Sequence, residues 1–343
     1  MKRFALFFLV FALSGCSVNQ PKTFQLKNAA LSTVWPMGSE VPRYRYVGEL
    51  HGEASNDSIS GRSIFEKIVG LIQGAPKILV LQRPYDVYVS ADNIVYVADL
   101  ALPGVMVFNQ TDHSFIVWDE IDNKTAFQVP VGIVGTENEI LVVDSKLAQV
   151  FRFLPNGTLL GSFGKNTLKR PIGIAYDADK QRIYVSDAGT HTIQVFSPKG
   201  ALVEIIGKYG EALGEFNYPS AIEFSHNNLY VSDTMNARIQ VIDPNNQEKE
   251  VESFGYRGLN VGNTPRPKGV TVDNDGNVYA VESYYGHLLV YNKQGEFLLP
   301  ISGKNREIGE FYLPSGVTTD ARDRIYLADT FNGRIVILQY LGN

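Results

Sequence analysis

The amino-acid sequence predicts an all-β fold, a six-bladed β-propeller with four-stranded blades. Three observations support this prediction. A motif repeats at intervals of blade length, each copy contains short β runs, and the strand that the last copy lacks is found near the amino terminus. Strand-rich repeats of about 40 to 50 residues are typical of propellers.

Each copy of the repeat starts at a proline, and its second strand ends at an acidic residue. The prolines are Pro84, Pro130, Pro171, Pro219, Pro267 and Pro314, and the acids are Asp99, Asp144, Asp187, Asp233, Glu282 and Asp329. Successive acids are 45, 43, 46, 49 and 47 residues apart. This spacing indicates six copies of one structural unit.

The third copy has the clearest strand pattern. Residues 172–176, 183–186, 192–196 and 202–206 are four short runs rich in β-branched and aromatic residues. Asp, Gly, Ser and Pro residues separate them and favour turns. Four antiparallel strands of this kind make one propeller blade.

Ring closure explains why the last copy is incomplete. Residues 334–340 give it a third strand, and no fourth strand follows. Residues 44–50 resemble the outer strands predicted at 202–207 and 251–255. We therefore predict that the last blade is closed by this amino-terminal strand, which removes the exposed sheet edges.

The composition excludes several classes of protein. Only 31 Gly and 16 Pro occur among 343 residues, far fewer than in low-complexity chains. The net charge of -5 excludes a wholly basic nucleic-acid-binding protein, and a single cysteine excludes a disulfide framework or a cysteine metal cluster. We predict no cofactor.

The amino terminus resembles that of bacterial lipoproteins. Two basic residues precede the apolar run 4–13, and residues 13–16 read Leu-Ser-Gly-Cys, like a lipobox. The alternative is an ordinary cleaved signal peptide with an incidental cysteine. The resemblance implies that residues 1–15 are a signal peptide, that Cys16 carries lipid and that residues 16–40 are a tether. It further implies a location in the bacterial cell envelope, on the outer membrane facing the periplasm.

Several copies resemble NHL repeats. Tyr-Val-Ser-Asp occurs at residues 184–187 and 230–233, and Asn236 and Arg238 follow the second occurrence. Asp329 is likewise followed by Asn332 and Arg334. The resemblance covers about residues 41–343 and implies a six-bladed propeller. NHL proteins include binding domains and a few enzymes, so the resemblance does not select an activity.

The six acids have two possible roles. They could form a ring of cation ligands along the channel, or each could accept backbone N–H bonds and hold the turn that follows it. Turn capping is the favoured interpretation because every acid ends a strand.

Two histidines are the candidate metal ligands. His191 and His287 follow the acids of their copies by four and five residues. NHL-like amidating lyases hold zinc with histidines from several blades, and the resemblance implies that His191 matches one such position. His287 is offset by one residue, and copy one lacks a corresponding histidine, so we predict no metal site. No nucleophile elbow or His-Glu-x-x-His motif occurs, and we predict no catalytic residue.

Basic residues favour one face of the ring as a binding surface. We call it the top face: it carries the loops from each outer strand to the next inner strand and the turns between second and third strands. The remaining turns form the bottom face. Apart from the six acids, the top loops are net basic and the bottom turns net acidic. The candidate ligand-binding residues are Arg170, Arg257, Arg266 and Lys268.

A helix is predicted as an insert at about residues 58–75. Apolar residues there recur at helical spacing, with a capping pattern at residues 63–66 and a glycine at 74. The insert belongs to a top-face loop. It either packs on its own protein or helps to shape a groove for a partner.

These observations leave two functional hypotheses. The first is a membrane-anchored extracytoplasmic propeller that binds or scaffolds a protein or an anionic envelope polymer. The alternative is a metal-dependent lyase or hydrolase that uses the central pocket. Nucleic acid is not expected as a partner, because export separates the protein from it and no aromatic stacking pattern is evident.

Overall fold

The computed structural model describes residues 22–27, 33–38, 41–53, 79–246, 250–302 and 310–342. They form six antiparallel sheets whose inner strands contact one another in a closed circle. The predicted all-β six-bladed propeller is confirmed. Cys16, the predicted signal peptide and the helix predicted at 58–75 lie outside the described residues.

Each blade contains four main strands, ordered from the channel to the rim. Blades 1 to 3 consist of Pro84–Val89, Ile94–Asp99, Gly104–Asn109 and Ser114–Trp118; Pro130–Gly135, Ile140–Asp144, Gln149–Phe153 and Leu159–Phe163; and Pro171–Asp177, Arg182–Asp187, Thr192–Phe196 and Leu202–Ile206. Blades 4 to 6 consist of Pro219–Ser225, Asn228–Asp233, Arg238–Ile242 and Glu252–Phe254; Pro267–Val272, Val278–Glu282, His287–Tyr291 and Phe297–Ser302; and Val317–Thr319, Arg324–Asp329, Arg334–Tyr340 and Tyr44–Leu50.

Irregular elements are short. A small hairpin, Glu120–Asp122 with Thr125–Ala126, joins blades 1 and 2, and two 3₁₀ turns occupy Thr234–Asn236 and Thr330–Asn332. No helix in the described part of the chain has the length and apolar character needed to cross a membrane.

The amino-terminal strand closes the ring as predicted. Tyr44–Leu50 pairs antiparallel with Arg334–Tyr340 and supplies the outer strand of blade 6. A buried ion network joins the two strands: the Arg334 guanidinium donates to Glu49 at 2.6 Å and to Asp329 at 2.7 Å. Burial acts to raise the pKa of Glu49, but the hydrogen bond from His51 and the charge of Arg334 outweigh it and hold the pKa below its usual value.

Two stretches of the predicted tether pack on the rim of the propeller. Lys22–Thr23 adds a strand to the outer edge of blade 1, and Val34–Trp35 adds one to blade 6. Phe24 and Trp35 are each only 3% exposed. One buried aromatic residue per stretch produces no periodicity, which is why the sequence pattern did not reveal these strands.

The hydrophobic core lies between neighbouring blades rather than in the channel. The second strands contribute buried tyrosines such as Tyr96 and Tyr184, which pack against aliphatic and aromatic residues of the adjacent blade. At about 25 cal/mol for each Å² of buried apolar area, these interfaces are the main stabilising contribution to the ring. Their rigidity fixes the loops on both faces.

Candidate functional site

The six acids at the ends of the second strands are turn caps. All six are fully buried, and backbone N–H groups donate to each of them. Asp99, for example, accepts hydrogen bonds from the amides of Gln82, Arg83, Ala101 and Leu102 at 2.8–3.2 Å. The capping interpretation is confirmed, because these bonds use the carboxylate oxygens that a cation would need.

In four blades the cap also holds the backbone amide of the residue that precedes the inner-strand proline. The Arg83 amide donates to Asp99 at 3.0 Å, and the Arg170 amide donates to Asp187 at 2.8 Å. Glu282 accepts a backbone hydrogen bond from Arg266. Each of these buried acids therefore fixes the backbone that carries a top-face side chain at the channel mouth.

These positions form an alternating ring around the mouth. From blade 1 to blade 6 the residues before the prolines are Arg83, Val129, Arg170, Tyr218, Arg266 and Leu313. Arginines occupy alternate blades, so three arginines start from three sides of the mouth. All three arginines are exposed.

Lys268 lies just inside this ring. It follows the inner-strand proline of blade 5, is half-buried, and places its ammonium 5.9 Å from the centre of the Tyr85 ring. The Arg170 guanidinium lies 5.1 Å from the centre of the Tyr218 ring. Burial lowers the pKa of Lys268, and the charges of Arg266 and Arg170 lower it further against the opposing effect of Tyr218.

Three of the four predicted ligand-binding residues thus lie together. Arg170, Arg266 and Lys268 interact electrostatically at the mouth. Arg257 is on the same face, but its guanidinium donates to the Met235 carbonyl at 2.8 Å in the turn of blade 4. Arg83 belongs to the ring and was missed, although its position before Pro84 matches that of Arg170 and Arg266.

The channel narrows below the mouth. Inner strands of five blades carry a β-bulge just after the proline. A Cβ atom added at Gly173 would lie 2.5 Å from the Ser220 carbonyl oxygen, and one at Gly132 would lie 2.5 Å from that of Ile172. Backbones of neighbouring blades therefore touch at this level, and the space above it is only ≈ 20 Å³.

A larger cavity of ≈ 150 Å³ lies below the narrow level, toward the bottom face. Asp86 and Glu223, from opposite blades, line it. Burial raises the pKa of Asp86 to about 7, although the amides of Ile133 and Val87 oppose the shift. Burial and the charge of Asp86 raise the pKa of Glu223 to about 8. Both side chains retain some accessible surface, but this surface faces the enclosed channel.

Comparing the copies position by position would have revealed both carboxyl groups. Asp86 stands where the other inner strands have Gly132, Gly173, Ala221, Gly269 and Gly316. Glu223 stands where the other blades have Tyr88, Val134, Ala175, Thr271 and Thr318. A charged residue at a position that is otherwise small or neutral is the relevant sequence pattern.

The two candidate histidines have local contacts. His191 accepts a hydrogen bond from the Tyr218 amide at 3.0 Å, and its ring centre lies 4.8 Å from that of Tyr209. The centre of the His287 ring lies 6.1 Å from that of Tyr285. Within the described ranges, no three His, Cys, Asp or Glu side chains are grouped so that they could hold a metal ion.

Sequence comparisons identify one repeat by family. The NHL repeat model matches residues 168–196, most of blade 3. Protein brain tumor of Drosophila melanogaster is 28% identical over 141 residues, which cover 40% of this chain and 13% of that protein. NHL repeat-containing protein 2 of Gallus gallus is 32% identical over 87 residues, which cover 22% of this chain and 12% of that protein. The chain thus spans only a small part of the curated relatives it matches.

Solved structures with the same architecture include proteins of different kinds. An auxiliary nutrient binding protein from Bacteroides thetaiotaomicron has a TM-score of 0.59 at 11% identity and covers 76% of this chain and 70% of its own. Virginiamycin B lyase from Staphylococcus aureus has a TM-score of 0.53 at 15% identity, with 76% and 96% covered. A chain of a nidogen/laminin complex has a TM-score of 0.52 at 18% identity, with 66% and 80% covered. At these identities the likeness shows the fold alone: the chain is a six-bladed β-propeller, and residues 168–196 match the NHL repeat.

Proposed function

We propose that this NHL-repeat propeller is a membrane-anchored extracytoplasmic binding or scaffolding domain whose top face captures a protein or an anionic envelope ligand. The observation that carries the proposal is the placement of Arg83, Arg170 and Arg266 before the inner-strand prolines of alternate blades, with Arg170 and Arg266 near Lys268. Planar guanidinium groups bind carboxylate or phosphate through paired hydrogen bonds, and three arginines start from three sides of one small mouth.

The electrostatics of the mouth favour an anion. Burial lowers the pKa of Lys268, and repulsion from the nearby charges of Arg266 and Arg170 lowers it further. An anionic group placed among them would relieve the repulsion and raise the pKa of Lys268. Binding should therefore be accompanied by proton uptake at alkaline pH and should weaken as salt concentration rises.

The comparisons support a binding role without naming a ligand. The similar propellers include a nutrient-binding protein and a chain from a protein–protein complex. A metal-dependent lyase or hydrolase in the central pocket remains the alternative hypothesis. The similarity to virginiamycin B lyase concerns the fold alone, and the described histidines do not lie together as metal ligands would.

The mouth is tested with an acidic polymer as probe. Fluorescence anisotropy of labelled poly-L-glutamate should report binding to the full chain in detergent. The triple variant Arg83→Glu, Arg170→Glu and Arg266→Glu should bind at least about 10-fold more weakly, which corresponds to about 1.4 kcal/mol.

A matched control changes the same amount of charge on the bottom face. Lys180→Glu, Lys293→Glu and Arg322→Glu should leave the affinity within about 2-fold, a change below about 0.5 kcal/mol. Equal losses in both triple variants would indicate a non-specific charge effect and would reject the mouth as the binding site.

The membrane anchor has a separate test. Cys16 is the only thiol of the chain and thus the only candidate for lipobox-type acylation. Replacing Cys16 with Ala should abolish incorporation of labelled fatty acid and release the protein from the membrane fraction. Persistent labelling would contradict the anchor.

A further inference from the structure

The top face carries a cluster of exposed apolar side chains on three adjacent blades. We call it the apolar patch, formed by Met235, Tyr256, Leu259, Tyr284, Tyr312 and Phe331. These side chains are between 43% and 87% exposed. On the bottom face of the described chain, the turns within blades expose no large apolar side chain, and Val41 and Leu341 are 65% and 42% exposed at the bottom end of blade 6. Fully burying one such side chain is worth about 1.5–3 kcal/mol, so a group of six on one face of three adjacent blades indicates an interaction surface.

The apolar patch continues into the basic mouth. The Tyr312 and Phe331 ring centres lie 5.4 Å apart, and the Arg83 guanidinium lies 5.1 Å from the centre of the Phe331 ring. On blades 4 and 5, Arg257 is held against the Met235 carbonyl. Apolar and cationic groups therefore form one surface, and an occupant must present both apolar and anionic groups.

Three kinds of occupant fit this surface poorly. A glycan stacks on aromatic rings, but its hydroxyl groups would not benefit from covering Leu259 and Met235. A flat lipid bilayer would not reach Lys268, which is recessed within the mouth. In a symmetric dimer made through this face, the two arginine rings would approach each other and repel. An acidic segment of a partner protein has none of these disadvantages.

We propose that the top face docks a peptide segment of a partner protein that places large apolar side chains on the apolar patch and a carboxylate in the arginine ring. This inference rests on the proposed function and names the class of partner. The apolar contacts provide most of the affinity, and the carboxylate fixes the register of the segment.

A random peptide library displayed on phage, selected against the purified full chain, tests the partner class. The selected peptides should combine Asp or Glu with at least two large apolar residues. A synthetic peptide of the leading selected sequence should bind at least about 10-fold more weakly to the variant Tyr256→Ser, Leu259→Ser and Tyr312→Ser.

The matched control removes exposed apolar groups elsewhere. Leu202, Val203 and Ile205 lie on the outer strand of blade 3 and are 40%, 48% and 55% exposed. Their replacement by Ser should leave peptide affinity unchanged. Thermal unfolding of both triple variants verifies that each remains folded.

Other outcomes overturn the inference. Selected peptides without apolar residues, or equal binding by the apolar-patch variant, would reject it while leaving poly-L-glutamate binding and the proposed function intact. Phosphatidylglycerol vesicles bound by the full chain and not by the apolar-patch variant would identify a membrane surface instead. Self-association lost only in that variant would identify a second copy. The proposed function itself would be rejected if the arginine-ring variant and the bottom-face control bound poly-L-glutamate equally well.

Discussion

The top and bottom faces of the ring are made by the same six blades but expose different chemistry. Bottom turns are short and capped by their own side chains: Asn156 accepts a hydrogen bond from the Thr158 amide, and Asp320 accepts from the amides of Arg322 and Arg324. Top loops are longer and expose tyrosines, leucine and arginines. On the bottom face, the turns are stabilised in the same way from blade to blade, by a side chain of the turn itself. The top loops differ from blade to blade, as expected of a binding surface on a rigid scaffold.

The buried acids explain how the top face can vary without losing order. Each acid anchors its loop backbone from inside the blade, so the exposed side chains are not needed for folding. In the bottom turns the capping side chain is itself in the turn and near solvent. The comparison predicts that single changes in buried top-face groups cost much more stability than equivalent changes below.

The largest difference should appear between two ion pairs. Arg334→Ala leaves Glu49 and Asp329 buried without their partner and should lower the free energy of unfolding by about 3–5 kcal/mol. Arg152 pairs with Glu139 near the bottom face, where both side chains are partly exposed, and Arg152→Ala should cost below about 1 kcal/mol. Urea denaturation measures both. Similar losses would show that burial does not distinguish the two faces.

A smaller effect on stability is expected from pH, because two buried carboxyl groups line the cavity in the bottom half of the channel. Asp86 and Glu223 have pKa values of about 7 and about 8 in the folded chain, above their usual 3.8 and 4.5. Between about pH 4 and pH 8 the folded chain therefore holds protons that the unfolded chain has released, and stability falls as pH rises.

We expect the wild type to lose roughly 2 kcal/mol or more from these two groups between pH 5 and pH 8.5, since one pKa unit is worth about 1.4 kcal/mol. The double variant Asp86→Asn and Glu223→Gln should lose correspondingly less. Denaturation at the two pH values is the measurement. The same decline in both proteins would mean that other groups, such as Glu282 or Asp329 on the top face, bind these protons.

The smallest effect concerns a bottom-face cap. Asn292 accepts hydrogen bonds from the amides of Gln294 and Glu296 at 3.0 and 2.9 Å. Asn292→Ala should cost about 1 kcal/mol, because it removes these two bonds and the 2.7 Å hydrogen bond that the Asn292 side-chain amide donates to Glu296. If Asn292→Ala destabilised the protein as much as Arg334→Ala, the two faces would not differ in how much their buried and exposed groups contribute to stability.

Sequence patterns predicted the features that recur in every copy of the repeat and missed the residues that differ between copies. The prolines, the capping acids and the closing strand recur or complement one another, so the architecture followed from counting. Asp86 and Glu223 each occur in one blade, and the arginine that precedes the inner-strand proline, Arg83 among them, occurs in only three; their importance depends on neighbours brought together by the ring. The meeting of Arg170 with Lys268 likewise joins blades 3 and 5, which local spacing does not relate. The strands of residues 22–23 and 34–35 are too short to carry a pattern.

The closing strand of blade 6 is synthesised long before the strand with which it pairs. Glu49 and Arg334 are separated by 285 positions, so at about 5–20 residues per second the ribosome needs roughly 15–60 s to deliver the partner of a strand already made. The five other blades are assembled from consecutive segments and can form as they emerge. During the wait, residues 44–50 present an unpaired edge that other nascent chains could capture. Slower translation of the first half should lengthen that vulnerable period, and a factor that shelters a single strand early in synthesis would shorten it.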